Sequence, residues 1–156
     1  MRTEQTSDET VDMVFQALTK VGKKPVMVQK EVPGFIAIRL EVALMREALS
    51  MVQRGIASPE DIDTVLKTGH PPGWVAAGIF ERVEVGIGWD LINNAIKRVL
   101  PDIDSSMDVI NLIQEKVDKG EVGAKTGKGF YDWTPESAEA TRRKMANAFI
   151  EIEKWS

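Results

Sequence analysis

The chain has 156 residues, 43% apolar and 28% charged, with a formal net charge of −4, which is the composition of a single ordinary globular domain able to bury a sizeable core. It has no cysteine and one histidine, His70, so disulfides, cysteine-built zinc sites and a cysteine nucleophile are excluded and no metal site is expected. Lys and Arg are interleaved with acids, so no nucleic acid is expected as a partner; no apolar run is long enough to span a bilayer, and the polar start Met1–Gln5 is no signal or anchor, so a cytoplasmic protein without membrane contact is expected.

Thr6-Ser7-Asp8-Glu9 has the form of a capping box, and apolar residues then recur at Val11, Val14, Phe15, Leu18 and Val21 before Gly22, which predicts a helix. Pro25-Val-Met-Val-Gln29 is short, β-branched and bounded by lysines and by Val32-Pro33, the pattern of a strand. A single strand leaves its N–H and C=O groups unpaired and needs a sheet to join, and no other segment offers itself. From Phe35 to Val52 apolar residues keep helical spacing, so Pro33 or Gly34 is expected to open a long helix that Gly55 closes. Ser58-Pro59-Glu60-Asp61 starts the next one, with a capping hydroxyl, proline at the first helical position and acids in the first turn, ending before Gly69.

His70-Pro71-Pro72-Gly73 is expected to break regular structure. Trp74 to Trp89 is apolar with glycines at 78, 86 and 88 and reads as short helical pieces. Helical spacing returns from Asp90 to Leu100 and again from Ser105 or Ser106 to Lys119. A last helix is expected from Pro135 with Ala138, Met145, Ala148, Phe149, Ile152 and Trp155 on one side. The predicted fold is mainly α: one helix and strand followed by a bundle of five or six helices.

Between the last two helices lies Gly120-Glu-Val-Gly-Ala-Lys-Thr-Gly-Lys-Gly-Phe-Tyr-Asp-Trp133. Its four glycines allow backbone angles that other residues avoid, so it predicts a compact shaped loop closed by aromatic rings. Lys125-Thr-Gly-Lys-Gly129 invites comparison with a phosphate cradle, but a P-loop needs two glycines four residues apart followed at once by Lys and Ser or Thr, between a strand and a helix. That context is missing here.

Three segments in order, Val21-Gly-Lys-Lys-Pro-Val-Met-Val with Val32-Pro-Gly-Phe-Ile-Ala, Gly55-Ile-Ala-Ser-Pro-Glu-Asp-Ile-Asp63, and Gly123-Ala-Lys-Thr-Gly-Lys-Gly-Phe-Tyr-Asp132, give a chain that resembles the C-terminal part of 3-hydroxyacyl-CoA dehydrogenases and their hydroxy-acid relatives, whose helical domain is like that of 6-phosphogluconate dehydrogenase. The resemblance implies an N-terminal Rossmann domain that binds NAD, carries the histidine–glutamate dyad and a substrate-facing serine, and is not represented in this sequence: no Gly-x-Gly-x-x-Gly follows a strand here. It implies that residues 1–30 are the last helix and strand of that domain and 31–156 a helical substrate-side and dimerisation domain. It further implies an acyl-CoA substrate, a homodimer, either a longer parent protein or a separate Rossmann subunit, and no catalytic activity or NAD binding by this chain alone.

The family pattern Pro-Gly-Phe-Ile-x-Asn-Arg places an Asn near the substrate carbonyl, whereas this sequence reads Pro33-Gly-Phe-Ile-Ala-Ile38-Arg39. Ile38 cannot donate a hydrogen bond. Likewise Gly78-Ile79-Phe80 stands where Gly-Pro-Phe is usual. The resemblance makes Ile38, Arg39, Trp74 and Phe80 the substrate-binding candidates and leaves no catalytic, cofactor or metal residue. Arg39, Arg46 and Arg54 could hold CoA phosphates, although their intervals with Glu41 and Glu47 favour ordinary helix-surface pairs. His70 could be a general base by residue type, but a surface-loop histidine is the preferred reading. Lys125 and Lys128 are candidates for an anionic group through the loop's resemblance alone. A non-enzymatic self-associating module of the same fold is the second functional reading.

Overall fold

The computed structural model describes residues 5–154, Glu153 by its backbone only. Trp155, expected at the end of the last helix, lies outside the described residues. The described elements are α1 (Asp8–Lys20), α2 (Ala37–Gln53), α3 (Pro59–Thr68), α4 (Pro71–Ala77), α5 (Ile79–Val85), α6 (Gly88–Val99), α7 (Val109–Asp118), a 3-10 turn at Ala124–Thr126 and α8 (Pro135–Glu153). The mainly α fold is as expected.

Local chemistry explains where most helices begin. The hydroxyls of Ser7, Ser58 and Thr134 accept from the N–H groups of Thr10, Asp61 and Ser137, so donors that the helices leave unpaired are satisfied. The first cap is therefore Ser7, one residue after Thr6. At the last helix Ser137 returns the bond to the Thr134 N–H at 2.9 Å, closing a capping box that the sequence reading did not identify.

Three starts differ from expectation, each for a backbone reason. Gly34 (φ 77°) and Phe35 (φ 47°) are left-handed, so α2 cannot open at Pro33 or Gly34 and begins at Ala37. Around Ser105 the chain is held in turns, with the Ser106 N–H on Asp104 Oδ1 at 2.7 Å and the Asp108 N–H on Ser106 Oγ at 3.1 Å, and α7 waits until Val109. The break at His70-Pro71-Pro72-Gly73 is narrower than expected. Pro71 and Pro72 occupy the first turn of α4, where a missing N–H costs nothing.

The strand expected at Pro25–Gln29 is not formed. Residues 23–28 have no regular structure, and the β-bridges among the described residues, Gly123 with Lys128 and Lys128 with Asp132, belong to the glycine loop. Strand geometry needs a neighbour to exchange hydrogen bonds with, and none is found among the described residues.

By compactness the chain divides into Met1–Met45 and Arg46–Ser156; the division runs through α2, whereas the boundary expected from the sequence follows Lys30. In the first unit, Val11 and Phe15 of α1 line a shallow groove with Met27. In the second, α3 packs on α4, α4 on α5 and α5 on α6. Polar links span longer intervals there: Arg54 binds both carboxylate oxygens of Asp102 at 3.0 Å, and the Asp104 N–H donates to Glu47 at 2.9 Å. The hydrophobic residues buried among those described are Val83, Val109 and Ala138.

Candidate functional site

In the first unit the turn before α2 and the first turns of that helix form an open groove lined by Met27, Val28, Val32, Phe35, Ile36 and Leu40, with Gln29, Lys30 and Arg39 at its edge. An apolar trough with two cations beside it suits a ligand with an apolar body and an anionic end. The turn that shapes it is closed by the Phe35 N–H on the Val32 carbonyl at 3.2 Å. Phe35 is strained, since a left-handed backbone is uncommon for a residue with a large side chain, and such residues concentrate at functional sites. Arg39 lines this groove. Ile38 does not; its Cγ2 lies 3.3 Å from where a Cβ on Gly34 would sit, and the side chain is 56% exposed. Gly34 thus provides both the left-handed turn and the space into which Ile38 folds.

The other two candidates belong to the second unit. Trp74 lies half-buried in α4, where its carbonyl accepts from the Gly78 N–H at 2.9 Å. Phe80 on α5 is 69% exposed and makes a tilted ring contact with Trp89 at 6.1 Å. Trp89 in turn donates its indole N–H to Glu84 at 3.1 Å, so a Phe80–Trp89–Glu84 set runs from α5 to α6. The sequence reading passed over Trp89, because its contact with Phe80 joins two separate helices and no local spacing marks it.

His70 is engaged: its Nδ1 lies 2.6 Å from Arg82 Nη2, so the imidazole accepts from the guanidinium, and Arg82 also lies over Gly73, where a Cβ would meet its Nε at 3.2 Å. Arg54 pairs with Asp102, 48 residues away, in place of a helix-surface partner. Glu47 receives the Asp104 N–H. The Asp104 carboxyl is held below its ordinary value first by the hydrogen bonds from Ser106, and further by the charges of Arg46 and Arg54. The Arg46 Nε is buried without a hydrogen-bond partner.

The glycine loop is held by a dense set of internal hydrogen bonds. Gly123 donates to the Lys128 carbonyl at 2.7 Å, Gly129 to Tyr131 at 2.8 Å and Trp133 to Gly127 at 2.8 Å, while the Thr126 and Gly127 N–H groups turn back on Gly123 and Ala124. The Thr126 hydroxyl lies at the centre, accepting from the Val122 N–H at 3.1 Å and placed 3.1 Å from the carbonyls of both Gly123 and Lys128. These donors are spent inside the loop and none of them is left to cradle a phosphate.

Two polar clusters anchor its ends. Lys116 on α7 binds Glu121 at 2.7 Å and the Gly129 carbonyl at 2.9 Å, and its ammonium sits 5.1 Å from the centre of the Phe130 ring. Lys128 binds the same Glu121 at 3.0 Å. The hydrogen bond from Lys116, then that from Lys128, lower the Glu121 carboxyl to about 2, and Glu121 raises the Lys128 ammonium in return. At the other end the Tyr131 hydroxyl donates to Asp63 on α3 at 3.2 Å, and Lys67 holds the same carboxylate at 3.1 Å. Burial, followed by the charge and hydrogen bond of Asp63, pushes the Tyr131 hydroxyl up to about 12. Lys128 is therefore occupied within the loop, while Lys125 is exposed.

The glycine loop does not have the form of a dinucleotide-binding turn. The glycine-rich segment spends its donors internally, and it follows a helix with no sheet beside it among the described residues. No group of three or more His, Asp or Glu that could hold a metal ion occurs among the described residues, and no helix among them is long and apolar enough to cross a membrane.

The profile of the 3-hydroxyacyl-CoA dehydrogenase C-terminal domain matches residues 34–133. The chain is 30% identical over 151 residues to 5-formyl-3-hydroxy-2-methylpyridine 4-carboxylate 5-dehydrogenase of Mesorhizobium japonicum, covering 97% of this chain and 48% of that protein. It is 35% identical over 133 residues to a probable 3-hydroxybutyryl-CoA dehydrogenase of Deinococcus radiodurans, covering 83% and 45%. Among solved structures, a 5-formyl-3-hydroxy-2-methylpyridine 4-carboxylic acid 5-dehydrogenase, described as an NAD+-dependent dismutase, superposes with a TM-score of 0.90 at 29% identity over 98% of this chain and 49% of its own. The (S)-3-hydroxybutyryl-CoA dehydrogenase of Ralstonia eutropha superposes with a TM-score of 0.57 at 32% identity over 85% and 46%.

The chain belongs to the 3-hydroxyacyl-CoA dehydrogenase family, of which it carries the C-terminal domain. It is similar throughout to oxidoreductases, and it spans about half the length of the relatives it matches.

Proposed function

We propose that this chain is the C-terminal, substrate-side part of an NAD-dependent dehydrogenase acting on a 3-hydroxyacyl-CoA or a related hydroxy acid, in which hydride passes between the hydroxyl-bearing carbon and nicotinamide. The observation that carries the reading is the family match over 34–133, which includes both the turn that shapes the Phe35–Arg39 groove and the glycine loop. The nucleotide site and the acid–base dyad would lie on a Rossmann domain, either in the same polypeptide or in a separate subunit. This chain would bind and orient substrate through Arg39, with Ile38, Trp74 and Phe80 as apolar contacts, and would self-associate through its helical unit in a cytoplasmic enzyme.

A second reading of the substrate rests on a specific observation. The likeness to the pyridine-carboxylate dehydrogenase runs over 97% of the chain and reaches a TM-score of 0.90, against 0.57 for the hydroxybutyryl-CoA enzyme. A small hydroxylated or formylated aromatic acid would leave the Asn that Ile38 replaces without a thioester carbonyl to polarise.

The test is a dehydrogenase assay on the chain assembled with its Rossmann domain, following NADH formation from NAD+. Activity with 3-hydroxybutyryl-CoA and none with the formylpyridine acid selects the first substrate class, and the reverse selects the second. Absence of NAD reduction with either, in an assembly that binds NAD, leaves the non-enzymatic self-associating module. Separately, calorimetric titration of the chain alone with NADH is expected to give no saturable binding.

A further inference from the structure

Resting on the proposed function, in which Trp74 and Phe80 contact the substrate, is the question of what holds those two side chains in place. They lie on α4 and α5, helices of seven residues each whose starts carry no side-chain cap. So short a helix does not hold itself in water, and its position is set by what it packs on. α4 packs on α3 and on α5. The placement of Trp74 therefore depends directly on α3, and that of Phe80 at one remove.

α3 is joined in turn to the glycine loop through one side chain. The Tyr131 hydroxyl donates to Asp63 Oδ2 at 3.2 Å, across 68 residues of chain. The rest of the tyrosine is held as well: its carbonyl accepts from the Gly129 N–H at 2.8 Å, and its ring meets Trp133 edge-on with the centres 6.1 Å apart. Behind it the loop has little room to give. A Cβ on Gly129 would come to 3.0 Å from the Gly123 Cα, so the two sides of the loop lie backbone against backbone, and Lys116 ties the Gly129 carbonyl to α7 at 2.9 Å. On the other side of the bond, Lys67 steadies the Asp63 carboxylate at 3.1 Å from the next turn of α3. Burial, then Asp63, pushes the Tyr131 hydroxyl up to about 12, so it keeps its proton and remains a donor through the neutral range.

The geometry points to Tyr131 as a positioning residue for the substrate: through Asp63 it sets α3, and through α3 the helix that carries Trp74, against a loop anchored on α7. Tyr131 touches no substrate in this role. Its hydroxyl fixes where an apolar wall stands. Such a wall contacts substrate and transition state alike, so loosening it weakens binding and leaves the chemical step at its own rate.

The experiment has two arms. The chain has four tryptophans, and their indole N–H signals are followed in nitrogen-15 spectra of the full chain, assigned by replacing each with Phe in turn. Tyr131→Phe keeps the ring and removes the hydroxyl, so a change at its neighbour Trp133 is local, whereas a change at Trp74 reports movement of α4. The Trp74 signal is expected to shift in Tyr131→Phe, to shift alike in Asp63→Ala, and to move no further when the two are combined, because both remove the same bond. Lys67→Met leaves that bond in place and is expected to leave the Trp74 signal where it is. In the chain assembled with its Rossmann domain, Tyr131→Phe is expected to raise KM for the hydroxy acid about threefold, with kcat and the KM for NAD+ unchanged. A Trp74 signal that stays put in Tyr131→Phe overturns the proposal, as do shifts that add in the double variant, an unchanged KM, or a fall in kcat at constant KM. If the assembled enzyme oxidises neither substrate class, the dehydrogenase reading fails, while the tryptophan spectra still uphold or overturn the link from Tyr131 through Asp63 to α4.

Discussion

The glycine loop from Gly120 to Trp133 and the segment from Lys23 to Ile36 are both fourteen-residue stretches between α-helices, yet they solve the backbone hydrogen-bonding problem in opposite ways. In the loop, the N–H groups of Gly123, Thr126, Gly127, Gly129 and Trp133 all find partners within fourteen residues, and charged side chains fix each end. In the segment the Lys23 N–H returns to Leu18 and the Phe35 N–H to Val32, while the stretch between has no regular structure. A connection whose donors are satisfied locally carries its shape with it. One whose donors are not takes its shape from whatever it meets.

The largest test of the loop is Gly123→Ala. Gly123 has φ 98° and ψ −155°, a region open almost only to glycine, so the substitution is expected to cost about 1–3 kcal/mol. Denaturant unfolding measures it, and a loss below half a kcal/mol would show that the loop relaxes freely and is not held to one shape.

On the side of the segment, the expected effect is functional. In the assembled enzyme, if its substrate is an acyl-CoA, Ile38→Asn restores a donor at the position where the family carries one. Turnover is expected to rise by up to ~10-fold, or about 1.4 kcal/mol of transition-state stabilisation. Steady-state kinetics with thermal melting of the same variant decides this. A fall in activity at unchanged stability would mean that Ile38 is fitted to another substrate.

Tyr131→Phe removes the hydroxyl that Asp63 holds and is expected to cost about 1 kcal/mol. The sign of its pH dependence is fixed by the raised pKa. Tyr131 contributes below its ordinary value near 10, and the contribution is lost as pH rises through about 12. The wild-type chain should therefore lose stability on the alkaline side more steeply than the Phe variant, which thermal melts at rising pH will show.

Glu121 works in the other direction. Its carboxyl is lowered to about 2, so its contribution is present above the ordinary value of 4.5 and is lost as pH falls through about 2. Glu121→Gln should flatten the acid limb between those values, read from helicity during acid titration. If the limb is unchanged, the Lys116–Glu121–Lys128 cluster does not hold the loop.

The smallest effect belongs to Val26→Lys. Val26 is 72% exposed, and in the chain alone the change is expected to shift stability by less than about 0.5 kcal/mol. A larger loss would show that the segment is already covered within this chain.

Proline at the first helical position was sufficient to read the starts of α3 and α8, and apolar spacing to read α6 to within a residue or two, because these signals act across three or four positions; α3 is further bounded by Ser58 with Asp61 and by the glycine after its last turn. The loop's glycines likewise announced a fixed shape, since the need for positive φ at Gly120, Gly123 and Gly127 is a property of the residue itself. What tertiary structure decided lies at long range. That Arg54 goes to Asp102, that Tyr131 reaches Asp63 and that His70 is held by Arg82 depends on where turns bring separate helices, and no local spacing encodes it. The segment at Pro25–Gln29 marks the same limit from the other side. Its β-branched residues state a preference for extended backbone, but a strand exists only with a partner to share its hydrogen bonds, and that partner is a matter of tertiary structure.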